Sequence, residues 1–333
     1  MLTCFGFHLN RRKSRRTVLV AASVLIAVLG LSLEAHSSVT EPFPDFPYME
    51  KKMLEAGMER SFVEHVVRSY EPKGLGLVVE LNVLLFLRKS DYHGIQVTSE
   101  GEAAVRQFSN RYRTVLARAE KTHGVSPRVI SSLLWIESRH GKNKGRYHVP
   151  SVYAHLIQAP RPEMREYLLS RTGRYTPDAI SEAQRQRILD RTGQKAEWAM
   201  TELKALEKVH KWKWTLGSEL RGSFSGAFGI PQFIPSSYVR WARSINHPAQ
   251  PNLSSPADAI MSVAYYLKDH GWKADAPETH VEALMKYNNS RDYANAILAL
   301  AERVEVRRAA SETKAKTGVK KKKNDSSVRS RSN

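Results

Sequence analysis

Apolar residues recur along this chain at intervals of three and four, the spacing of one helix face, with no convincing two-residue alternation of a strand. Between Tyr48 and Leu87 the spacing is carried by residues such as Phe62, Val63, Val66 and Val67, and Glu71-Pro72-Lys73-Gly74 interrupts it. A helix is predicted from Thr98-Ser99 to about His123, with Val105, Phe108, Tyr112, Val115 and Leu116 on one face and Gly124 as its stop. The next helix, over 126–140, is the best punctuated: Ser126 is a natural N-cap, Pro127 suits the first turn, and Gly141 lies just past the end. Residues 142–194, broken by Pro150, Pro160, Pro162, Gly173 and Gly193, read as loops with short helices. A helix over 195–214 precedes a glycine-rich stretch from Gly217 to Gly229. Helices restart near Pro235 and at Ser255-Pro256, the latter running to Gly271, and a last one opens at Ser290 and reaches about Val304. The pattern predicts a mainly α fold, with no solenoid period and no glycine-rich phosphate loop.

Composition changes this picture only at the two ends. The net charge of +19 is unevenly placed: residues 1–35 carry +4 and residues 307–333 carry +8, which leaves +7 for everything between. A nucleic-acid function drawn from overall basicity would rest on the ends alone, and none is assigned. Arg11, Arg12, Lys13, Arg15 and Arg16 precede an uncharged stretch from Thr17 to Leu33, the layout of an export signal or an N-terminal anchor. The expected division is a signal or anchor over 1–35, a Pro-rich extended linker over 36–47, a folded part over 48–306 and a disordered basic tail over 307–333. Cys4 is the only cysteine, so no intrachain disulfide forms and the folded part has no thiol nucleophile or cysteine-based metal site. Export without disulfides points to the periplasm or cell envelope of a bacterium as the expected location.

Glu137 stands out against the helical pattern. Val129, Ile130, Leu133 and Leu134 form an apolar stripe, and Glu137 follows Leu133 by four residues and Leu134 by three. A carboxylate on that face is costly without a purpose or a partner. Burial and the negative end of the helix dipole both favour its protonated form, which is what a general acid requires. From position alone, a structural ion pair with Arg139, His140 or Arg128 accounts for it equally well.

Two further segments carry candidate chemistry. In Gly222-Ser223-Phe224-Ser225-Gly226-Ala227-Phe228-Gly229-Ile230-Pro231-Gln232-Phe233 the glycines let a ligand approach the backbone, and Ser225 and Gln232 offer uncharged hydrogen bonds suited to a sugar. Packing of a tight loop between helices is the plainer explanation. In Lys286-Tyr287-Asn288-Asn289-Ser290-Arg291-Asp292-Tyr293, Ser290 caps the last helix, while Tyr287, Asn288 and Tyr293 either line a groove or serve as core and turn residues.

Taken together, Trp135-Ile136-Glu137-Ser138-Arg139-His140-Gly141, then residues 222–237, then Tyr287-Asn288-x-Ser290-x-x-Tyr293 resemble, in order, the motifs of the membrane-bound lytic murein transglycosylase B family. Ser255-Pro256-Ala257-Asp258-Ala259-Ile260 through His270-Gly271-Trp272 resembles the helix that follows the second motif. The resemblance implies a lysozyme-like α fold with a helical N-terminal part, a deep groove, and peptidoglycan glycan strands as the partner. It implies Glu137 as a single catalytic acid and base, cutting the bond between N-acetylmuramic acid and N-acetylglucosamine and leaving 1,6-anhydro ends. It places Ser225 and Gln232 on the acetamido group and sugar ring, and Tyr287, Asn288 and Tyr293 along the groove.

Two departures bear on function. Family members often carry an acidic, EF-hand-like loop after the glycine-rich helix, but residues 244–253 here contain neither Asp nor Glu, so no calcium is expected there; the expectation for the chain is no metal and no cofactor. Residues 142–194 match poorly, which leaves the far end of the groove undefined. The histidines form no paired metal-ligand spacing. The basic tail is either a weak electrostatic contact to anionic envelope polymers or a solvated tail without a partner. The rival functions are a hydrolytic muramidase with the same fold and acid, and a peptidoglycan-binding protein without catalysis.

Overall fold

In the computed structural model of the chain, residues 39–88, 96–211, 220–246 and 250–305 are described. Helices account for nearly all the regular structure: α1 (Phe46–Glu55), α2 (Arg60–Arg68), α3 (Leu75–Leu84), α4 (Ser99–Arg111), α5 (Arg113–His123), α6 (Pro127–Ser138), α7 (Val149–Ile157), α8 (Pro162–Ser170), α9 (Glu182–Lys211), α10 (Pro235–Trp241), α11 (Pro256–Asp269), α12 (Glu278–Tyr287) and α13 over 291–305. Among the described residues the one sheet is a two-residue pair, β1 (Tyr147–His148) antiparallel to β2 (Arg221–Gly222). The expected mainly α class holds, with the N-terminal helices α1 to α3 forming part of the same core as the later ones.

Capping chemistry holds at some helix ends and fails at Ser126, which precedes α6 but makes no side-chain cap bond. Thr98 accepts the Gly101 N–H at 3.1 Å to open α4. Tyr112 interrupts the expected continuous helix, so that α4 and α5 are separate, and Gly124 ends α5 with φ of 71°. Helix α6 ends at Ser138, two residues earlier than predicted, and is buried on almost every side.

Residues 39–45 form neither helix nor strand and bond the folded part: Glu41 accepts the Gly76 N–H at 2.7 Å, and the Asp45 N–H donates to Gln158 at 2.8 Å. One reading is corrected: α9 begins at Glu182 rather than at 195 and spans 30 residues straight through Gly193. Ile188, Thr192, Ala199, Leu203 and Leu206 bury one stripe of it, and this tertiary burial outweighs the weak helix propensity of a single glycine. The predicted end of that helix at 212–214 lies outside the described residues, as do the signal at 1–35 and the tail from 307. Among the described residues, no helix is long and apolar enough to cross a membrane.

Helix α3 ties the N-terminal part of the fold to the glycine-rich stretch. All of its residues but Leu77 are buried, including two polar ones. Glu80 is held by the hydroxyls of Tyr175 (3.0 Å) and Tyr167 (3.4 Å) and by Arg174. Asn82 reaches the glycine-rich stretch, donating to the carbonyl of Phe224 at 2.8 Å and bonding the Ser225 hydroxyl at 3.0 Å.

Gly193 lies in open space, with nothing within 4 Å of an added Cβ. Gly193→Ala should therefore stabilise the protein by about 0.5–1 kcal/mol through helix propensity. Thermal unfolding checks this, and a lowered midpoint would mean that the helix is broken there.

Candidate active site

The C-terminal end of α6 turns through three successive residues with positive φ: Arg139 (52°), His140 (56°) and Gly141 (89°). For Arg139 and His140 this left-handed conformation costs roughly 1–2 kcal/mol each, so the surroundings must enforce it. They do so on both residues. The Arg139 N–H donates to Trp135 O at 2.8 Å and the His140 N–H to Leu134 O at 3.1 Å. The Arg139 guanidinium lies 4.3 Å from the centroid of the Trp135 ring. The His140 ring stacks on Phe108 at 4.1 Å, and its Nε2 donates to the Ser131 carbonyl at 2.9 Å. Burial pulls the His140 pKa down to about 4, so that ring is neutral near pH 7.

This arrangement removes the ion pairs that would have made Glu137 structural. Arg128 pairs with Glu305 at 2.8 Å, and Arg139 and His140 are turned to Trp135 and Phe108. Glu137 instead receives a short hydrogen bond from the Tyr293 hydroxyl to Oε1. Its surroundings are dense, yet the residue is only half-buried and keeps a solvent-accessible surface. Desolvation pushes its pKa up to about 7, and the Tyr293 bond, which favours the carboxylate, offsets only part of that rise.

The glycine-rich stretch folds against the end of α6. The Ser138 hydroxyl donates to Ile230 O at 2.6 Å and accepts the Gly141 N–H at 2.9 Å. A tight turn pairs Phe228 with Phe233, the two N–H to O bonds being 2.9 and 3.1 Å. Within it Gln232 has φ of 52° and donates through Nε2 to Gly229 O (2.8 Å) and Lys144 O (3.3 Å). Gly226, with φ of 74°, lies so close to the Tyr153 ring that an added Cβ would meet it at 2.4 Å. The Tyr153 hydroxyl donates to Gly226 O at 3.1 Å and to Ser225 O at 3.3 Å.

The third segment closes on the first two. Tyr287 donates a short hydrogen bond to Pro231 O. Burial, together with the neighbouring Glu137 carboxylate, raises the pKa of that phenol well above its ordinary value. Ser290 accepts the Tyr293 N–H at 3.2 Å, which seats Tyr293 in the first turn of α13. Tyr293 is buried, so it acts on Glu137 from behind rather than lining a surface. Asn288 caps the C-terminus of α12 through its backbone and remains half-buried. Glu137, Tyr287 and Tyr293 are thus brought to one place, with Gln232 in the adjoining turn and Ser225 further along, on Asn82.

Sequence reasoning assigned no role to Asn82, Ser138 or Tyr153. Asn82 had a legible signal, a polar residue in the otherwise apolar run LGLVVELNVL, whereas Tyr153 had none. A cavity of about 480 Å³ lined by Lys144, Gly145, Phe228, Gly229 and Asn252 adjoins the turn, but Glu137 does not line it. The acidic side chain nearest in sequence after the loop at 244–253 is Asp258, both of whose oxygens already accept backbone N–H groups. The loop's remaining side-chain oxygens are neutral, and this donor set does not fit calcium.

Residues 45–283 match the family described as Transglycosylase SLT domain. Membrane-bound lytic murein transglycosylase B of Escherichia coli (strain K12) is 30% identical over 166 residues, which cover 50% of this chain and 37% of that protein. The match therefore spans little more than a third of that relative's length. The structure of the Escherichia coli lytic transglycosylase SLT35 in complex with calcium is similar with a TM-score of 0.59 at 22% identity, covering 80% of this chain and 94% of that one. SltB3 from Pseudomonas aeruginosa in complex with NAG-NAM-pentapeptide is similar with a TM-score of 0.56 at 17% identity, covering 78% of each chain. At these identities the structural likeness speaks for the fold.

The raised pKa of Glu137 has a consequence for stability. Its folded value, about 7, exceeds its unfolded value, 4.5, so the folded state holds the proton more tightly and loses stability as pH rises from about 4.5 to 7. Glu137→Gln carries no such charge. It should match the parent near pH 4.5 and exceed it by roughly 1–3 kcal/mol at pH 8, as read by unfolding at the two pH values. Equal differences at both would mean that Glu137 is not desolvated.

Proposed function

The chain belongs to the Transglycosylase SLT domain family, and on that premise we propose that it is a peptidoglycan lytic transglycosylase in which Glu137 is first the acid and then the base. The observation that carries this reading is a carboxyl with a pKa near 7, paired with no cation among the described residues and held by a buried tyrosine. Because Tyr293 donates to Oε1, the acidic proton belongs on Oε2, where it serves the oxygen between N-acetylmuramic acid and N-acetylglucosamine. As that C1–O bond breaks, Glu137 becomes a carboxylate. It then takes the proton of the muramoyl C6 hydroxyl, whose oxygen closes on C1 to give the 1,6-anhydro ring. One residue serves both transfers and no water is consumed, unlike the paired-carboxylate glycosidases.

In this reading Ser225 and Gln232 hold the acetamido group and the sugar ring. Gln232 brings its carbonyl oxygen to the task, since its amide nitrogen already bonds Gly229 and Lys144. Tyr287 and Asn288 border the bound strand, and Tyr293 sets the acid. The substrate is envelope peptidoglycan, reached after export through the N-terminal segment. The chemistry proposed uses protein groups alone and calls on no metal. The basic tail contributes at most a weak contact to anionic envelope polymers.

Mass spectrometry of digested sacculi tests the reading. The wild-type protein should release anhydro-muropeptides, whereas hydrolysis would give products about 18 Da heavier by one water. Glu137→Gln should lower the rate at least about a thousandfold while strand binding is retained. Reducing ends in place of anhydro ends would make the protein a muramidase, and full activity in the variant would remove Glu137 from the chemistry.

A further inference from the structure

Asp258 lies in the first turn of α11 and is 6% exposed. Its carboxylate faces back over the loop that precedes the helix. Oδ1 accepts the Ile245 N–H at 3.0 Å, and Oδ2 accepts the Asn252 N–H at 2.8 Å. One side chain therefore joins Ile245 and Asn252 by two charge-assisted bonds. The loop is the segment where the family resemblance would place an acidic calcium site, and here its oxygens are neutral or already engaged. Asn252 Oδ1, for instance, accepts the Ser254 N–H at 2.9 Å.

We infer that Asp258 is a positioning residue for Glu137, stapling Asn252 to Ile245 in place of a metal ion so that residues 251–253 in turn hold the glycine-rich turn against the end of α6. The connection runs through short contacts. Tyr238 donates to Pro251 O at 2.7 Å and fixes the loop's far side. Leu253 O accepts the Ile230 N–H at 2.8 Å, and Leu253 lies against Gly229 so closely that an added Cβ would meet its own at 2.4 Å. Ile230 O accepts the Ser138 hydroxyl at 2.6 Å, and the Ile230 side chain lies 3.0 Å from the Cβ position at Gly141. Ser138 is the residue after Glu137. The staple's loss is transmitted along this path as slack, and slack admits water beside the acid.

The groups that face Glu137 are the phenols of Tyr293 and Tyr287, while Arg139 and His140 are turned to Trp135 and Phe108. The described residues 250–253 contribute no charge to that set. Asp258 therefore acts on Glu137 through exclusion of water and not through its own field. Water entering beside Glu137 favours its carboxylate and lowers the pH at which the acid is lost.

The inference rests on the reading of Glu137 as general acid, and the test separates the two. In the full-length protein Asp258→Asn keeps the shape but can accept at only one position, and its amide N–H₂ opposes the other backbone N–H. On isolated glycan strands, kcat should fall roughly tenfold with KM changed less than about threefold, and the alkaline limb of the pH profile should move down by about half a unit or more. Calcium chloride should restore none of this. Wild-type melting temperature and kcat should be indifferent to EGTA and to added calcium. Ser138→Ala, which cuts the other end of the path, should shift the limb in the same direction and keeps the test open if Asp258→Asn does not fold. The inference is overturned if the limb stays in place in folded variants, or if EGTA lowers the wild-type melting temperature. A wild-type protein without lytic activity would instead overturn the proposed function, and the melting comparison with EGTA would still judge the staple.

Discussion

The site depends on a competition at one carboxyl. Desolvation by the packed end of α6 raises the Glu137 pKa, while the Tyr293 hydroxyl, by bonding the charged form, pulls it down. Neither effect alone would leave both protonation states accessible near neutrality. With desolvation unopposed, the proton would be held too tightly to be given up near neutrality. With Tyr293 bonding a well-solvated carboxylate, the proton would already be gone. Their balance near pH 7 leaves both states accessible, which is the condition for one residue to work in both directions. A cation beside Glu137 would destroy that balance, so the engagement of Arg128, Arg139 and His140 elsewhere is part of the design.

Those engagements explain why strained backbone is tolerated after Ser138. The left-handed turn takes the chain sharply away from the helix axis, so that Arg139 lies over Trp135 and His140 on Phe108. His140 is neutral because it is buried, and its stacking requires no counter-ion. The same turn brings the Gly141 N–H onto the Ser138 hydroxyl, which is thereby oriented to donate to Ile230 O. Local strain is exchanged for a defined junction between two segments 92 residues apart in sequence.

Much of this was legible in the chain, and the part that was not has physical causes. Helix existence followed from apolar spacing and from caps such as Thr98, Ser290 and Gly124, because those signals are local. The placement of Glu137 followed from its distance to Leu133 and Leu134, but its freedom from ion pairs did not, since that depends on where Phe108 and Glu305 arrive. The start of α9 was misread because Gly193 is a local signal of interruption, while the burial of Ile188 and Thr192 is a tertiary fact. For Tyr293 the residue pattern leaves groove and core both open and the family resemblance implies the groove, whereas its burial is decided by α13 folding against α6.

The three motif segments differ in kind from a set of independent contacts. Ser138 satisfies the carbonyl of Ile230, Tyr287 that of Pro231, and Tyr293 the carboxyl of Glu137. Each segment thus supplies a donor or acceptor to another, and the chain of bonds returns to α6 from both sides. A buried carbonyl left without its donor carries a desolvation cost of about 1–3 kcal/mol, so removal of one link penalises the neighbouring segment as well as its own. Asn82 extends the same logic to α3, which reaches the stretch through Phe224 and Ser225 from the N-terminal part of the fold. The surroundings of Glu137 are therefore a property of the whole ring of bonds and not of its immediate neighbours alone.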